Sequence, residues 1–334
     1  MKLDGRAAVR ALLLASLVAV GVAWASAALP GRSRVVAEPL PEGSANRAPL
    51  AAAKEGAPVA CPKVEASHVE GRVASGDIDE LSGLVASRRH PGVFWVHNDS
   101  GDDARVFAID AHGKTLAELS LSGADATDIE DIALGKGAAG TADVLYVADT
   151  GDNLKRRRSV QIYRVAEPLA LPRTESLELK QRADTLEVVY EDGPHDVETL
   201  LVDPVQGDLY LVAKAHLLLR EEPVGVYRLA RAELSTKRKN VARKVASIRL
   251  GPATGGDIAA DGSAILVRNY WSAMYWPRAS GQTIVEALAK APCRLTVSDV
   301  GYQGEAIGFT PGGEAYVTIA EGNHPAIFRY VFGK

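Results

Sequence analysis

The sequence predicts an all-β protein that folds as a five-bladed β-propeller, because one pattern of strand-like runs recurs five times along the chain. Each unit begins with a short run whose third residue is mostly polar, continues with a run rich in large apolar residues, and places an aromatic residue in a third run. Four short antiparallel strands at such a period are typical of a propeller blade. A β-sandwich is the alternative, but it would not repeat one polar position at the head of every unit. The first runs of the five units are residues 80–84, 128–132, 196–200, 254–258 and 303–307.

An N-terminal strand is expected to close the ring. The last unit ends near Val331 without a fourth run, and residues 64–73 form an extra strand-like run before the first unit. The chain has two cysteines, Cys61 on this closing strand and Cys293 before the last unit. An even cysteine count in an exported chain predicts one disulfide, and two buried free thiols are the alternative.

Residues 1–27 have the composition of a signal peptide. Basic side chains precede an unbroken apolar run at 11–25, and the small residues Ala25, Ser26 and Ala27 follow it. An uncleaved membrane anchor is the alternative, because the apolar stretch continues to Leu29 and approaches spanning length. The basic residues are Lys2, Arg6 and Arg10.

The remaining chain divides into two parts. Residues 28–60 are rich in Ala, Pro, Gly, Ser and charge without periodicity, which predicts a flexible linker. Residues 61–334 form the predicted propeller, without a further apolar run that could span a membrane. We therefore expect a periplasmic or extracellular monomer. The net charge of −4 argues against a nucleic-acid partner.

The heads of the first runs predict a metal site. In a propeller the first strand of each blade lines the central channel, so these positions converge at one mouth. Converging carboxylates repel one another unless a cation joins them, and no basic residue is offered at these positions. Oxygen ligands in a ring suit Ca²⁺ better than Mg²⁺. The alternative is an empty, water-filled or salt-bridged channel. The predicted metal ligands are Ser82, Glu130, Glu198, Gly256 and Glu305.

The loops expected on the same face carry candidate catalytic residues. Residues 97–103 and 148–153 both contain Asp, then Ser or Thr, then Gly, then Asp. The acids Asp99 and Asp149 would face the bases Lys214 and Arg268 across a funnel. The alternative is that such sequences only make good turns.

These residues resemble the calcium-activated nucleotidases, or apyrases. The run at 80–84 and the order Ser82, Glu130, Glu198, small residue, Glu305 look like the motifs of that family. The resemblance implies a five-bladed propeller with calcium in its channel and hydrolysis of nucleoside di- and triphosphates. The sequence departs from the family's pattern at two places. Where the family has paired arginines, this sequence has residues 213–216, and where the family has a serine, this sequence has Gly256. A looser resemblance links the chain to exported phytase-like and esterase-like propellers.

Three functions remain open at this point. The first is an exported calcium-binding module for a small molecule or for an envelope or extracellular protein. The second is a calcium-dependent hydrolase of phosphate esters or anhydrides, in which Asp99 or Asp149 acts as base while Lys214 and Arg268 neutralise charge. The third is a glycosidase that uses the carboxylates of the funnel, with sugar stacking on the aromatic residues between 270 and 276.

Overall fold

The computed structural model describes residues 61–137, 142–172, 176–216, 221–299 and 304–333. The predicted signal peptide and linker, residues 1–60, lie outside the described residues. No helix within the described ranges is long and apolar enough to cross a membrane.

The described chain is built almost entirely of short strands. One short helix, α1 (Ile284–Leu288), and one 3-10 turn at Arg231–Glu233 interrupt them. The strands are β1 (Val64–Arg72), β2 (Leu81–Ala86), β3 (Val93–Asn98), β4 (Arg105–Asp110), β5 (Thr115–Ser122), β6 (Ile129–Gly135), β7 (Val144–Asp149), β8 (Val160–Ala166), β9 (Leu177–Arg182), β10 (Asp184–Tyr190), β11 (Val197–Val202), β12 (Leu209–Ala213), β13 (Glu222–Leu229), β14 (Asn240–Leu250), β15 (Ala253–Ile258), β16 (Ala264–Asn269), β17 (Ala273–Pro277), β18 (Cys293–Leu295), β19 (Gly304–Phe309), β20 (Ala315–Ala320) and β21 (Ala326–Phe332).

The strands form four hydrogen-bonded sheets. Their orders are β2-β3-β4-β5-β9, β6-β7-β8-β10-β14-β13-β12-β11, β15-β16-β17-β18 and β19-β20-β21-β1. Pairing is antiparallel except where β9 joins β5 and where β10 joins β14. The eight-stranded sheet therefore contains two antiparallel four-stranded meanders that meet at a parallel seam.

The sheets are arranged as a β-propeller. The strands β2, β6, β11, β15 and β19 contact one another in that order, and β19 returns to β2. Every residue of these five inner strands is buried except Asp257, which is half-buried. Sheets that radiate from a closed ring of buried inner strands make the β-propeller fold.

Apolar side chains fill the spaces between neighbouring meanders. Five separate core clusters occupy these spaces, and each contains side chains from two adjacent meanders. The stability of the ring therefore comes from packing between each sheet and the next, because burial of apolar surface is the main favourable contribution to folding. Each cluster includes a different large aromatic side chain, and these five are Trp95, Trp276, Tyr227, Phe107 and Tyr316.

The N-terminal strand closes the last sheet, as the sequence predicts. Strand β1 pairs antiparallel with β21, from Val64 opposite Phe332 to Arg72 opposite Ala326. The predicted disulfide between Cys61 and Cys293 is confirmed, with 5.6 Å between the α-carbons and a sequence separation of 232. It links the chain just before β1 to the first residue of β18, and so joins the last two sheets.

Candidate functional site

Each inner strand contains one extra residue near its start. Pairing with the second strand of the sheet breaks register at this point in all five strands. A β-bulge of this kind re-aims the extra side chain and is common beside functional sites. We call the five extra residues the bulge ring. They are Ser82, Glu130, Glu198, Thr254 and Glu305.

The structure assigns Thr254, rather than Gly256, to the bulge ring. The register break in β15 falls between Ala253 and Gly255, so Gly256 lies two residues deeper. A β-carbon on Gly256 would lie 2.6 Å from the carbonyl oxygen of Leu266 and 2.9 Å from Thr199. Gly256 therefore sits where neighbouring strands pack closely. Thr254 occupies the ring position that the sequence prediction gave to Gly256.

The residues that follow the second strand of each meander form a further ring at the same mouth. Pairing places Asn98 opposite Leu81, and Asp149 is placed opposite Ile129 in the same way. The next residue in each meander belongs to what we call the rim ring, so Asp99 corresponds to Thr150 and not to Asp149. The rim ring is Asp99, Thr150, Lys214, Tyr270 and Glu321.

Carboxylates of the two rings and of the preceding loops crowd together. Three groups each have one carboxylate oxygen per residue within 4.8 Å of the others. Asp99 and Glu130 each belong to two groups, which makes the mouth one connected acidic surface. The groups are Asp99, Asp128 and Glu130; Asp99, Glu305 and Glu321; and Glu130, Asp196 and Glu198.

Burial and mutual repulsion raise the pKa values of these carboxyls. Burial and the neighbouring charge of Asp99 raise the pKa of Asp128 and that of Glu321 to about 7. The pKa of Glu305 lies well above its usual range for the same reasons, burial first and then the charge of Glu198. Burial and Glu198 act on Glu130 in the same direction. The mouth therefore favours the uptake of positive charge, either as protons or as a cation.

Lys214 supplies positive charge to one side of the mouth. Its ammonium group forms an ion pair with the buried Glu198 and lies 5.6 Å from the ring centroid of Tyr270. Burial alone would lower the pKa of Lys214, but attraction to Glu198 outweighs it and raises the pKa. The pKa of Glu198 still rises to about 8, because its burial outweighs the lysine. The sequence offers no basic residue at the positions of the glutamates themselves, and the rim ring provides one from the end of the neighbouring strand.

Two of the four predicted catalytic residues are fully buried and held in ion pairs. Asp149 is fully buried, lies 2.8 Å from Arg157 and accepts a hydrogen bond from the Tyr163 hydroxyl. Arg268 is also fully buried, and one of its guanidinium nitrogens lies 3.2 Å from a carboxylate oxygen of Asp299. Asp99 and Lys214 are the two that the structure brings into the mouth.

Hydroxyl and glycine residues fix the framework of the mouth. The Ser82 hydroxyl donates a 2.9 Å hydrogen bond to the backbone carbonyl of Glu130 on the next inner strand. Thr254 donates in the same way, at 3.4 Å, to the carbonyl of Glu305. A β-carbon on Gly151 would lie 2.1 Å from a carboxylate oxygen of Glu130, so a larger residue there would displace the Glu130 carboxylate.

A buried aspartate that the sequence analysis missed lies beneath the glutamates. Asp131 accepts 2.8 Å hydrogen bonds from the backbone nitrogens of Ile132 and Leu200, and so connects two inner strands. Burial raises its pKa well above the usual range. In the sequence, Asp131 is visible only as a second acid directly after Glu130. The repeat pattern gives no reason to assign the two acids different positions.

Comparison with known proteins identifies no family for this chain. Neither protein-family models nor curated proteins match it. Among solved structures, a PQQ-bound aldose sugar dehydrogenase from Streptomyces coelicolor is similar with a TM-score of 0.44 and 13% identity, over 82% of this chain and 100% of that chain. A nidogen/laminin complex is similar with a TM-score of 0.39 and 13% identity, over 73% of each chain. Neither similarity bears on the ligand or chemistry of the mouth.

Proposed function

We propose that this chain is an exported, five-bladed β-propeller that binds calcium at one mouth and serves as a binding module. The count of five blades divides the eight-stranded sheet at its parallel β10–β14 seam. Each half then has the inner strand, meander order and bulge of the other sheets. The fifth strand of the first sheet, β9, is an addition to its outer edge.

The observation that carries the proposal is the charge imbalance of the mouth. Seven carboxylates form the three close groups, and Lys214 is the basic side chain in direct contact with them among the described residues. Buried carboxylates that share a site cannot all ionise without a cation. A divalent cation would offset several of these charges at once.

Calcium suits the donor set better than other common cations. The acidic group nearest Lys214 contains Glu130 and Glu198, two of the predicted ligands, together with Asp196. Ser82 adds a hydroxyl beside Glu130, and that oxygen retains lone pairs after donating to the Glu130 carbonyl. Carboxylate and hydroxyl oxygens without nitrogen or sulfur ligands favour a hard cation, and irregular spacing favours Ca²⁺ over Mg²⁺.

Binding is favoured over hydrolysis because the candidate catalytic set is divided. Asp149 and Arg268 are buried in ion pairs away from solvent. A phosphate hydrolase would then have to obtain its base from Asp99 and its cationic group from Lys214, which is already paired with Glu198. The expected ligand is a small molecule, or a protein of the cell envelope or the extracellular space.

Export is proposed from the N-terminal sequence together with the disulfide. Residues 1–27 have signal-peptide character. The bond between Cys61 and Cys293 is of the kind that persists in oxidising compartments.

Thermal unfolding of the purified protein in calcium and in chelator tests the calcium site. A cation that binds only the folded state at a hundredfold excess over its Kd adds about 2.7 kcal/mol to the free energy of unfolding. Glu198→Gln should remove most of this gain. Glu178→Gln is the matched control, because Glu178 lies exposed on β9, outside the mouth. Identical melting curves in calcium and chelator would contradict the proposal.

A further inference from the structure

We propose a second divalent-cation site, held by Asp99, Glu305 and Glu321, at the seam where the last inner strand meets the first. It rests on the proposal that the mouth binds cations, but it uses none of the carboxylates of the group formed by Glu130, Asp196 and Glu198. One carboxylate oxygen from each of the three residues lies within 4.8 Å of the others.

Asp99 gives independent evidence of a missing partner. Its Oδ1 atom is buried and accepts no hydrogen bond from any described residue. A buried carboxylate oxygen without a partner loses its hydration without compensation, which is costly. Asp99 is itself a member of the acidic group, so a cation held with Glu305 and Glu321 would give its carboxylate a partner.

Glu305 and Glu321 indicate the same need. One carboxylate oxygen of Glu305 lies within 4.8 Å of one of Glu321. Two carboxylates at this distance repel each other, and a proton or a cation between them relieves the repulsion. The group near Glu198 already has the ammonium of Lys214, whereas no basic side chain of the described residues is bound to Asp99, Glu305 or Glu321.

The rim ring places opposite charges on opposite sides of the mouth. Its acidic members, Asp99 and Glu321, follow the second strands of the first and last meanders, whose inner strands β2 and β19 are neighbours. Its lysine, Lys214, follows the second strand of the third meander, and the two members between are the uncharged Thr150 and Tyr270. Lys214 forms its ion pair with Glu198, and it acts on the three carboxylates of the seam only by attraction at longer range.

Backbone hydrogen bonds hold the seam in this arrangement. The nitrogen of Asp99 donates to the carbonyl of Glu80 at 2.7 Å, and the nitrogen of Gly322 donates to the carbonyl of Asp79 at 2.8 Å. Gly322 has a φ of +118°, which glycine adopts without strain. The two loops that carry the site are thus joined to one segment, residues 79–80, and the site does not depend on side-chain contacts alone.

The number of calcium ions bound per chain, measured by titration calorimetry on the purified protein, tests the inference. We expect two ions for the parent, and one for Glu321→Gln and for Asp99→Asn. Asp103→Asn is the matched control in the loop that follows β3, because Asp103 is exposed, and it should still bind two. Glu321→Gln also removes a repelling charge, so we expect this variant to melt at a higher temperature than the parent in chelator.

The outcomes separate the two proposals. If Glu198→Gln abolishes all binding and Glu321→Gln changes nothing, the seam site does not exist and the first site stands. If Glu321→Gln binds one ion fewer than the parent and Glu198→Gln binds as many as the parent, the seam site stands and the first ligand set is wrong. Two ions in both Glu321→Gln and Asp99→Asn would overturn the seam site, and no binding to the parent would overturn both.

Discussion

Removing the disulfide should cost a large part of the stability of the propeller. The bond joins residues 232 apart, and Cys61→Ser combined with Cys293→Ser releases that constraint on the unfolded chain. The chain-entropy relation gives about 5 kcal/mol for a loop of this length. Native domains are stable by about 5–15 kcal/mol, so the variant should lie near the lower limit of folding.

The closing strand should respond first to this change. Strand β1 is mostly exposed along its length, so its backbone pairing with β21 holds it more than side-chain burial does. Without the bond to Cys293, the segment before β1 is held by that pairing and by the 2.8 Å hydrogen bond that the Gly333 nitrogen donates to the Lys63 carbonyl. Hydrogen exchange should therefore accelerate in β1 more than in the inner strands.

Urea unfolding followed by tryptophan fluorescence measures the effect. We expect the double variant to lose between about 2 and about 5 kcal/mol, since native strain offsets part of the entropic gain. The parent in a strong reductant should approach the same value, which controls for the serine substitutions. A loss below about 1 kcal/mol, with unchanged exchange in β1, would refute the view that the disulfide holds the closed ring.

Three further predictions concern the mouth. In chelator, Asp128→Asn should make the fall in stability between about pH 4 and about pH 7 shallower in urea unfolding, because the raised pKa of Asp128 lets the folded protein keep a proton that the unfolded chain has released; an unchanged or steeper profile would contradict this. In chelator, Lys214→Met should lower the free energy of unfolding by about 3 kcal/mol, because it leaves Glu198 buried without its partner, and adding Glu198→Gln should restore part of that loss. A double variant no more stable than the single one would show that the ion pair does not contribute to stability. Thr254→Val should lower the free energy of unfolding by about 1 kcal/mol for one lost hydrogen bond, and Gly256→Ala should lower it by more because it forces a β-carbon against a backbone carbonyl. Calorimetry should find the same calcium affinity in Gly256→Ala as in the parent; weaker calcium binding in Gly256→Ala would instead support the glycine as a ligand.

The periodic pattern predicted the inner strands, but not the register within them. Runs of strand-forming residues identify the strands because burial and pairing act on every unit in the same way. The bulge adds a residue without a sequence signature of its own. In the fourth unit the expected ring position was assigned to Gly256, two residues beyond Thr254. In the loops the matching Asp and Gly residues aligned Asp99 with Asp149, although strand pairing aligns Asp99 with Thr150.

Contacts between different strands of the mouth could not be predicted from one position of the repeat. The sequence analysis found no basic residue at the heads of the first runs, and that statement is correct for the bulge ring. Lys214 instead reaches Glu198 from the end of the neighbouring strand β12. Spacing along the chain does not specify which side chains meet when two rings converge on one axis.

The pairing of β1 with β21 makes closure of the ring depend on the strand of the propeller that is synthesised last. The earliest strand of the propeller to be synthesised has its hydrogen-bonding partner in residues 326–332, close to the C-terminus. A polypeptide that stopped before Ala326 would leave β1 without its neighbour, and Cys61 would lack the strand pairing that brings it close to Cys293. Ring closure therefore waits for the last strand of the propeller, and the approach of Cys61 to Cys293 depends on the same pairing.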